Sequence, residues 1–281
     1  METLDLLESL GKQCVFVTNN AAKSRVAYAK RFAKLGLERV TVEQVVPSSF
    51  VAARWLARAK PEVSDAFVIG ADGLVEEMRD AGLNVLTARD FAFPGADPAS
   101  NEATTSLALL AKAVDDAPAV GAVVVGHDTS FNFKSLCLAS LFLEREGMAF
   151  IATNPDAYDV VAGRRMPGNG CFVAAVATVA GRPPDAVCGK PAPDLADYLV
   201  SAYNLDPART VMVGDRLDTD IALAHAMGAS SLVVLTGVTS ADELLTELAP
   251  EAPCRAGRAG SVPLPTHAIS HVGLLRELYG G

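Results

Sequence analysis

Apolar positions along the chain fall into two patterns that take turns. Leu4, Leu7 and Leu10 recur at helical spacing, and Gly11 predicts the end of that helix. Cys14–Val17 is a short unbroken apolar run, which predicts a buried strand. From the capping residue Ser24, a helix is expected to run to about Leu35, with Tyr28, Phe32 and Leu35 on one face and Gly36 as its stop. Another helical stretch covers Phe50–Ala59 and ends before Pro61. A new unit then begins with strand Ala66–Ile69, helix Leu74–Asp80 and a strand over Asn84–Thr87. Phe93–Thr104, rich in Pro, Gly, Ser and Asn, predicts a loop. Strand Ala122–Val125, a helix through Phe142, strand Ala149–Ala152 and a helix over Cys171–Ala180 complete the middle region. Beyond the Pro183-Pro184 turn come helix Asp194–Tyr203, strand Thr210–Val213, helix Thr219–Met227 and strand Ser231–Leu235. The chain is looser between Pro250 and Pro265 and closes with a short strand and helix. This alternation predicts an α/β fold, with no internal repeat.

Composition narrows the picture. With 281 residues, half of them hydrophobic, and a mean hydropathy of +0.26, the chain can bury the core of one large domain or two modest ones. A net charge of −9 and a pI near 5.0 argue against broad binding to nucleic acid or anionic membranes, though a local pocket can still hold an anion. The five cysteines (Cys14, Cys137, Cys171, Cys188, Cys254) are far apart, mostly in apolar runs and without zinc spacing, so buried reduced thiols are expected. The longest apolar stretches, near Ala119–Val125 and Cys171–Ala180, fall short of the ~20 residues of a membrane span. Glu2, Asp5 and Glu8 interrupt the region where a signal peptide would be apolar. A soluble cytosolic protein is the expectation.

Three stretches carry candidate chemistry. Val15–Asn20 delivers a hydroxyl and two amides, Thr18, Asn19 and Asn20, to a strand's carboxyl end, the edge where open parallel sheets bind ligands. An ordinary strand exit with an Asx turn explains these residues as well. Gly189-Lys190-Pro191 could hold a lysine against a phosphate dianion, or Lys190 could be a solvated surface cation. Val213–Asp220 sets three acids within six residues at a strand tip, where Mg²⁺ would take one or two carboxylates. The competing account has Asp218 as a helix cap and the other acids favouring the helix dipole. Gly126-His127-Asp128, Thr153–Asp156 and Pro167–Gly170 also follow strands or turns, and could touch a leaving group or simply turn the chain.

Taken together, FVTNNAAKSR from Phe16, VGAVVVGHD from Val120, FIATNPD from Phe150, PGNG from Pro167, GKPAPD from Gly189, VMVGDRLDTDI from Val211 and VLTGVTS from Val234 resemble the haloacid-dehalogenase superfamily. The similarity is to the p-nitrophenylphosphatase/phosphoglycolate-phosphatase type and covers nearly the whole chain. It implies a Rossmann-like core over residues 1–60 and 186–281, with an inserted α/β cap over 61–185. It further implies Mg²⁺-dependent hydrolysis of small phosphate monoesters through an aspartyl-phosphate. Thr18 would be the phosphoryl-binding hydroxyl with Asn19 and Asn20 beside it, Lys190 the lysine bridging phosphate and nucleophile, Asp215 the metal ligand and Asp220 its supporting acid. Relatives acting on pyridoxal phosphate carry a histidine near Asp159, whose charge here would repel such a ligand. Homodimerisation through the cap is common in this family.

One part of the family pattern is missing. Members place DxDG at the end of the first strand, the first aspartate attacking phosphorus and the second acting as acid/base. The chain contains no DxDG, and Asp5, Asp72 and Asp128 are not credible substitutes. A βαβ unit needs ~30 or more residues, yet 17 precede Thr18. By the resemblance, the missing strand would lie centrally between those ending at Thr18 and Val213, so its loss would leave two apolar strand edges open. An incomplete gene model or a fragment is therefore expected, inactive as it stands. The alternative is a pseudoenzyme that binds a phosphorylated metabolite without turning it over.

Overall fold

Helical spacing near the start is realised as α1 (Glu2–Ser9), and Gly11, at φ +67°, turns the chain out of it. In the computed structural model the described residues are 2–91, 107–117, 119–248 and 263–279. The first strand, β1, covers Phe16–Thr18 rather than Cys14–Val17, and is half-buried. Its extent follows from its parallel partner β2 (Val45–Pro47), which pairs Phe16 with Val45 and Thr18 with Pro47 and has nothing opposite Cys14. Pro47 is tolerated there because it closes a short strand and donates no ladder bond. Between them, α2 (Arg25–Lys34) starts where Ser24 accepts from the Ala27 N–H at 3.3 Å. Leu35 is exposed; Leu37, beyond Gly36, takes the buried place expected of it. Helix α3 (Ser48–Ala59) begins two residues before the expected Phe50, on the buried pair Ser48 and Ser49.

A five-stranded parallel sheet follows. Its strands are β3 (Asp65–Ile69), β4 (Asn84–Leu86), β5 (Val120–Val125), β6 (Ala149–Ala152) and, after an intervening hairpin, β9 (Ala186–Val187), in the order β4-β3-β5-β6-β9. Near-continuous burial of β3, β5 and β6 is what a sheet covered on both faces requires. The covering helices are α4 (Asp72–Asp80), α5 (Leu107–Asp115), α6 (Phe133–Leu143) and α7 (Asn169–Ala180). Phe67, Phe91 and Phe142 meet in the core with ring centroids 5.2 to 6.0 Å apart. The expected loop Phe93–Thr104 lies outside the described residues.

The hairpin β7 (Tyr158–Val161) and β8 (Arg164–Pro167) has no counterpart among the elements expected from the sequence. Its two-residue turn, Ala162 and Gly163, has φ of +50° and +72°, the type I′ pattern that usually announces itself as Asn-Gly. Alanine in the first position hides that signal.

After Gly189 come α8 (Pro193–Ala202), β10 (Val211–Gly214), α9 (Ala222–Met227), β11 (Ser230–Val234), α10 (Ala241–Leu248), β12 (His267–Ile269) and α11 (Leu274–Tyr279). Three strands pair in parallel in the order β10-β11-β12. The helix expected over Thr219–Met227 is instead a π-helical turn, Leu217–Ile221, running into α9. Most of the looser stretch Pro250–Pro265, and Cys254, lie outside the described residues. Strand β10 has β11 as its hydrogen-bonded neighbour and shows Val211 and Val213, 51% and 40% exposed, on one face. None of the four described cysteines forms a disulfide, and of the thiols expected to be buried only Cys188 is. Cys171 stands exposed in the first turn of α7 with its thiol on the Ala157 carbonyl, 3.3 Å away. No helix among the described residues is long and apolar enough to cross a membrane.

The residues gather into two compact units, Met1–Cys14 with Lys190–Gly281, and Val15–Gly189. Within the second unit Glu77 joins α2 to α4. Its carboxylate, 2% exposed as a residue, accepts from the Arg25 N–H at 2.6 Å and from Arg25 Nε at 3.0 Å, while the guanidinium lies 3.8 Å over the Phe50 ring. Removing one partner of such a pair strands the other. Glu77→Ala should destabilise the protein by about 3 kcal/mol in urea unfolding, and Glu77→Gln by clearly less, since its amide still offers an acceptor.

Candidate active site

In the first unit, the acids after β10 are organised by one buried carboxylate. The π-helical turn carries Asp220 back beneath the strand exit, where Asp220 Oδ2 accepts from the N–H groups of Asp215 and Arg216, both at 3.1 Å. Its other oxygen accepts from Lys190 Nζ at 2.6 Å. Both side chains are nearly enclosed, so the pair exists because each charge satisfies the other. A Cβ on Gly214 would stand 2.2 Å from the Asp220 carboxyl carbon, so the loop closes this way only over glycine. Three of the expected site residues, Lys190, Asp215 and Asp220, are thus brought together.

Asp215 is fixed from a direction that the sequence does not single out. The loop after β11 approaches so closely that a Cβ on Gly237 would lie 2.0 Å from Asp215 Oδ2. The next two residues donate backbone N–H bonds, Val238 to Asp215 Oδ2 at 2.8 Å and Thr239 to the Asp215 carbonyl at 3.0 Å. The only trace of this in the sequence is a glycine soon after a strand, in VLTGVTS. Asp218 is not the helix cap of the competing account. The capping position belongs to Arg216, whose guanidinium holds Asp218 through two bonds of 3.1 and 3.0 Å.

Could this cluster hold a metal? Among the described residues no group of three or more His, Cys, Asp or Glu could do so. Asp215 alone offers a half-buried carboxylate at a strand tip, with one oxygen bound by Val238. Mg²⁺ typically keeps several waters and takes one or two protein carboxylates plus substrate phosphate, so one such ligand fits as part of a coordination set.

In the second unit, Thr18 ends β1 and its hydroxyl oxygen accepts from the Asn20 N–H at 3.2 Å. Asn20 Oδ1 accepts from the Ala22 N–H at 2.9 Å, the Asx turn of the plainer account. Asn19 is buried, and its amide points toward Asp156, with Nδ2 3.1 Å from both carboxylate oxygens. Tyr28 lies against this turn, donating to the Asn20 carbonyl at 3.3 Å. Burial raises the Tyr28 pKa, outweighing the lowering influence of the Thr18 hydroxyl and of Arg31. Asp159 is exposed on β7, opposite Met166 across the hairpin. His127 packs its ring edge-on against Phe172, centroids 5.4 Å apart.

Two consequences can be measured. Asp220→Ala leaves the Lys190 ammonium buried beside no carboxylate at that position, and should cost about 3 kcal/mol of unfolding free energy. Because the folded-state pKa of Tyr28 is raised above 10.0, its neutral phenol contributes stability below that pH. This contribution is lost as pH rises through the folded-state value. An ultraviolet difference titration, wild type minus Tyr28→Phe, should show the ring ionising above 10, and an ordinary value would contradict the burial of the phenol.

Comparison with known proteins bears on the whole chain. A haloacid dehalogenase-like hydrolase model matches residues 1–84 and a HAD-hydrolase-like model residues 187–255. Phosphoglycolate phosphatase 2 of Arabidopsis thaliana is 40% identical over 247 residues, 87% of this chain and 78% of that protein. Among solved structures, p-nitrophenyl phosphatase from Archaeoglobus fulgidus aligns at a TM-score of 0.75 and 28% identity, covering 99% of this chain and 90% of that one. Glycerol phosphate phosphatase from Mycobacterium tuberculosis in complex with magnesium aligns at 0.69 and 31%, covering 95% and 69%. The chain belongs to the haloacid-dehalogenase-like hydrolases, among their phosphatases of the p-nitrophenylphosphatase and phosphoglycolate-phosphatase type, and is by family a phosphoric monoester hydrolase.

Proposed function

We propose that this chain carries the phosphoryl-binding and metal-binding residues of a Mg²⁺-dependent phosphatase for small monoesters such as phosphoglycolate or p-nitrophenyl phosphate. The observation that carries this is Asp220, which ties the Lys190 ammonium and the Asp215–Arg216 backbone to one carboxylate. Lys190 would offset charge on the phosphoryl oxygens, and Thr18, with Asn19 and Asn20 beside it, would donate to them. Asp220 holds the Lys190 ammonium in place through a 2.6 Å hydrogen bond. Asp215 would hold the metal, which when bound supplies charge compensation for the phosphoryl group. A core of 1–60 and 186–281 with a cap of 61–185 is the domain scheme that goes with this function, and a homodimer through the cap fits it. Asp159, exposed on the hairpin where relatives acting on pyridoxal phosphate carry a histidine, would disfavour that ligand.

The aspartyl-phosphate of the full reaction would form on a carboxylate outside these 281 residues, because no DxDG occurs among them. The chain alone is then a phosphate binder without turnover. A phosphometabolite-binding pseudoenzyme is the second reading, and the same missing motif favours it. The purified chain with Mg²⁺ should leave p-nitrophenyl phosphate intact, yet bind inorganic phosphate in calorimetry. Thr18→Ala should weaken that binding about tenfold, as loss of a hydrogen bond to a charged group does. Turnover by this chain that disappears in Asp215→Ala would contradict the proposed inactivity. Fusing a DxDG-bearing strand upstream separates the two readings, since only the enzyme gains activity.

A further inference from the structure

The turn Thr153–Asp156, which plain turn chemistry could explain, has a second role within the Val15–Gly189 unit. It meets Asn19 at both the side-chain amide and the backbone carbonyl. The Asp156 carboxylate takes the Asn19 amide on both oxygens, at 3.1 Å each. The Asn19 carbonyl accepts from Asn154 Nδ2 at 2.7 Å and from Ser48 Oγ at 2.6 Å. Asn154 is itself oriented, since its Oδ1 accepts from the Asp156 N–H at 3.1 Å and its carbonyl accepts from Asn169 Nδ2 at 2.8 Å. Asn169, 2% exposed at the start of α7, also donates to Thr153 Oγ1 at 3.2 Å. Glycines make the approach possible. A Cβ on Gly168 would lie 2.3 Å from the Asp156 carbonyl oxygen, and one on Gly189 2.6 Å from the Thr153 carbonyl oxygen and 2.7 Å from Asn19 Oδ1.

We infer that Asp156 is a positioning residue for the Thr18–Asn20 turn, holding Asn19 so that the turn is already shaped for a phosphoryl group before one arrives. The inference rests on that turn being the phosphoryl-binding one. A side chain committed to a carboxylate is not spare for the ligand, so the Asn19 amide orients while the Thr18 hydroxyl does the donating. A carbonyl that accepts two short bonds polarises its peptide, which strengthens the Asn20 N–H as a donor to Thr18 Oγ1. Preset donors need no rearrangement on binding. The same contacts tie the exit of β6 to the exit of β1, strands that belong to different sheets.

The test uses the full chain in four forms: wild type, Asp156→Ala, Asp156→Asn and Asn19→Ala. Backbone amide exchange at Asn20, Ala21 and Ala22 is followed by NMR, and inorganic phosphate affinity is measured with Mg²⁺ present. Asp156→Ala and Asn19→Ala should each speed exchange about tenfold and weaken phosphate about tenfold, the scale of one hydrogen bond to a charged group. Asp156→Asn keeps an acceptor for the Asn19 amide and should restore both to within about threefold. A role in stability alone would lower the melting temperature of Asp156→Ala and leave turn exchange and phosphate affinity at wild-type values, which would overturn the inference. So would an Asp156→Asn variant as impaired as Asp156→Ala. If Asp156→Ala fails to fold, Asn19→Ala, which leaves the Thr153–Asp156 turn intact, decides the same question. Failure of the phosphoryl-binding assignment shows differently: Thr18→Ala would bind phosphate like wild type, while exchange in the turn still responds to Asp156→Ala.

Discussion

Three hydrogen bonds converge on the carboxylate of Asp220, and the loop chemistry of the Lys190–Gly281 part depends on them. Two come from consecutive backbone N–H groups and fix the path of the chain leaving β10. The third comes from the Lys190 ammonium, which is nearly enclosed against that carboxylate. A cation, a strand exit and the acid at that exit are therefore set relative to one another by one side chain. The π-helical turn is the backbone form of the same constraint.

The second unit uses the same physics with weaker charges. There the acid is Asp156, its donor a neutral amide, and the structure it supports is the turn at the end of β1. In both places a carboxylate accepts bonds that define a loop instead of facing solvent. Glycine recurs for the same reason. Gly214, Gly237, Gly168 and Gly189 all sit where a Cβ would overlap a carboxylate or a carbonyl.

Much of this is legible in the chain without the structure. Ser24, Gly11 and the apolar runs of β3, β5 and β6 mark their elements through local chemistry, so their positions can be read within a residue or two. Lys190, Asp215 and Asp220 stand out because charged residues cluster at strand ends. What escapes is nonlocal or carried by the backbone. Val238 and Thr239 hold Asp215 through N–H groups that every residue but proline has, so their identity says nothing of the role. Asn19 and Asp156 lie 137 positions apart, and a single sequence offers no signal linking them. The β7–β8 hairpin hides behind Ala162, which occupies a left-handed conformation without advertising it. Strand β2 hides behind Pro47.

Gly214 and Gly237 also bear on how such a gene could decay. Each has no space for even one added carbon, because the neighbouring atom belongs to the acid the loop exists to hold. Any single-base missense change at either codon would displace Asp220 or Asp215 while leaving both aspartates in the sequence. In a lineage released from selection, these silent-looking glycines would be as vulnerable as the acids themselves. A diverged copy could keep every charged residue of the motif and still have lost the site.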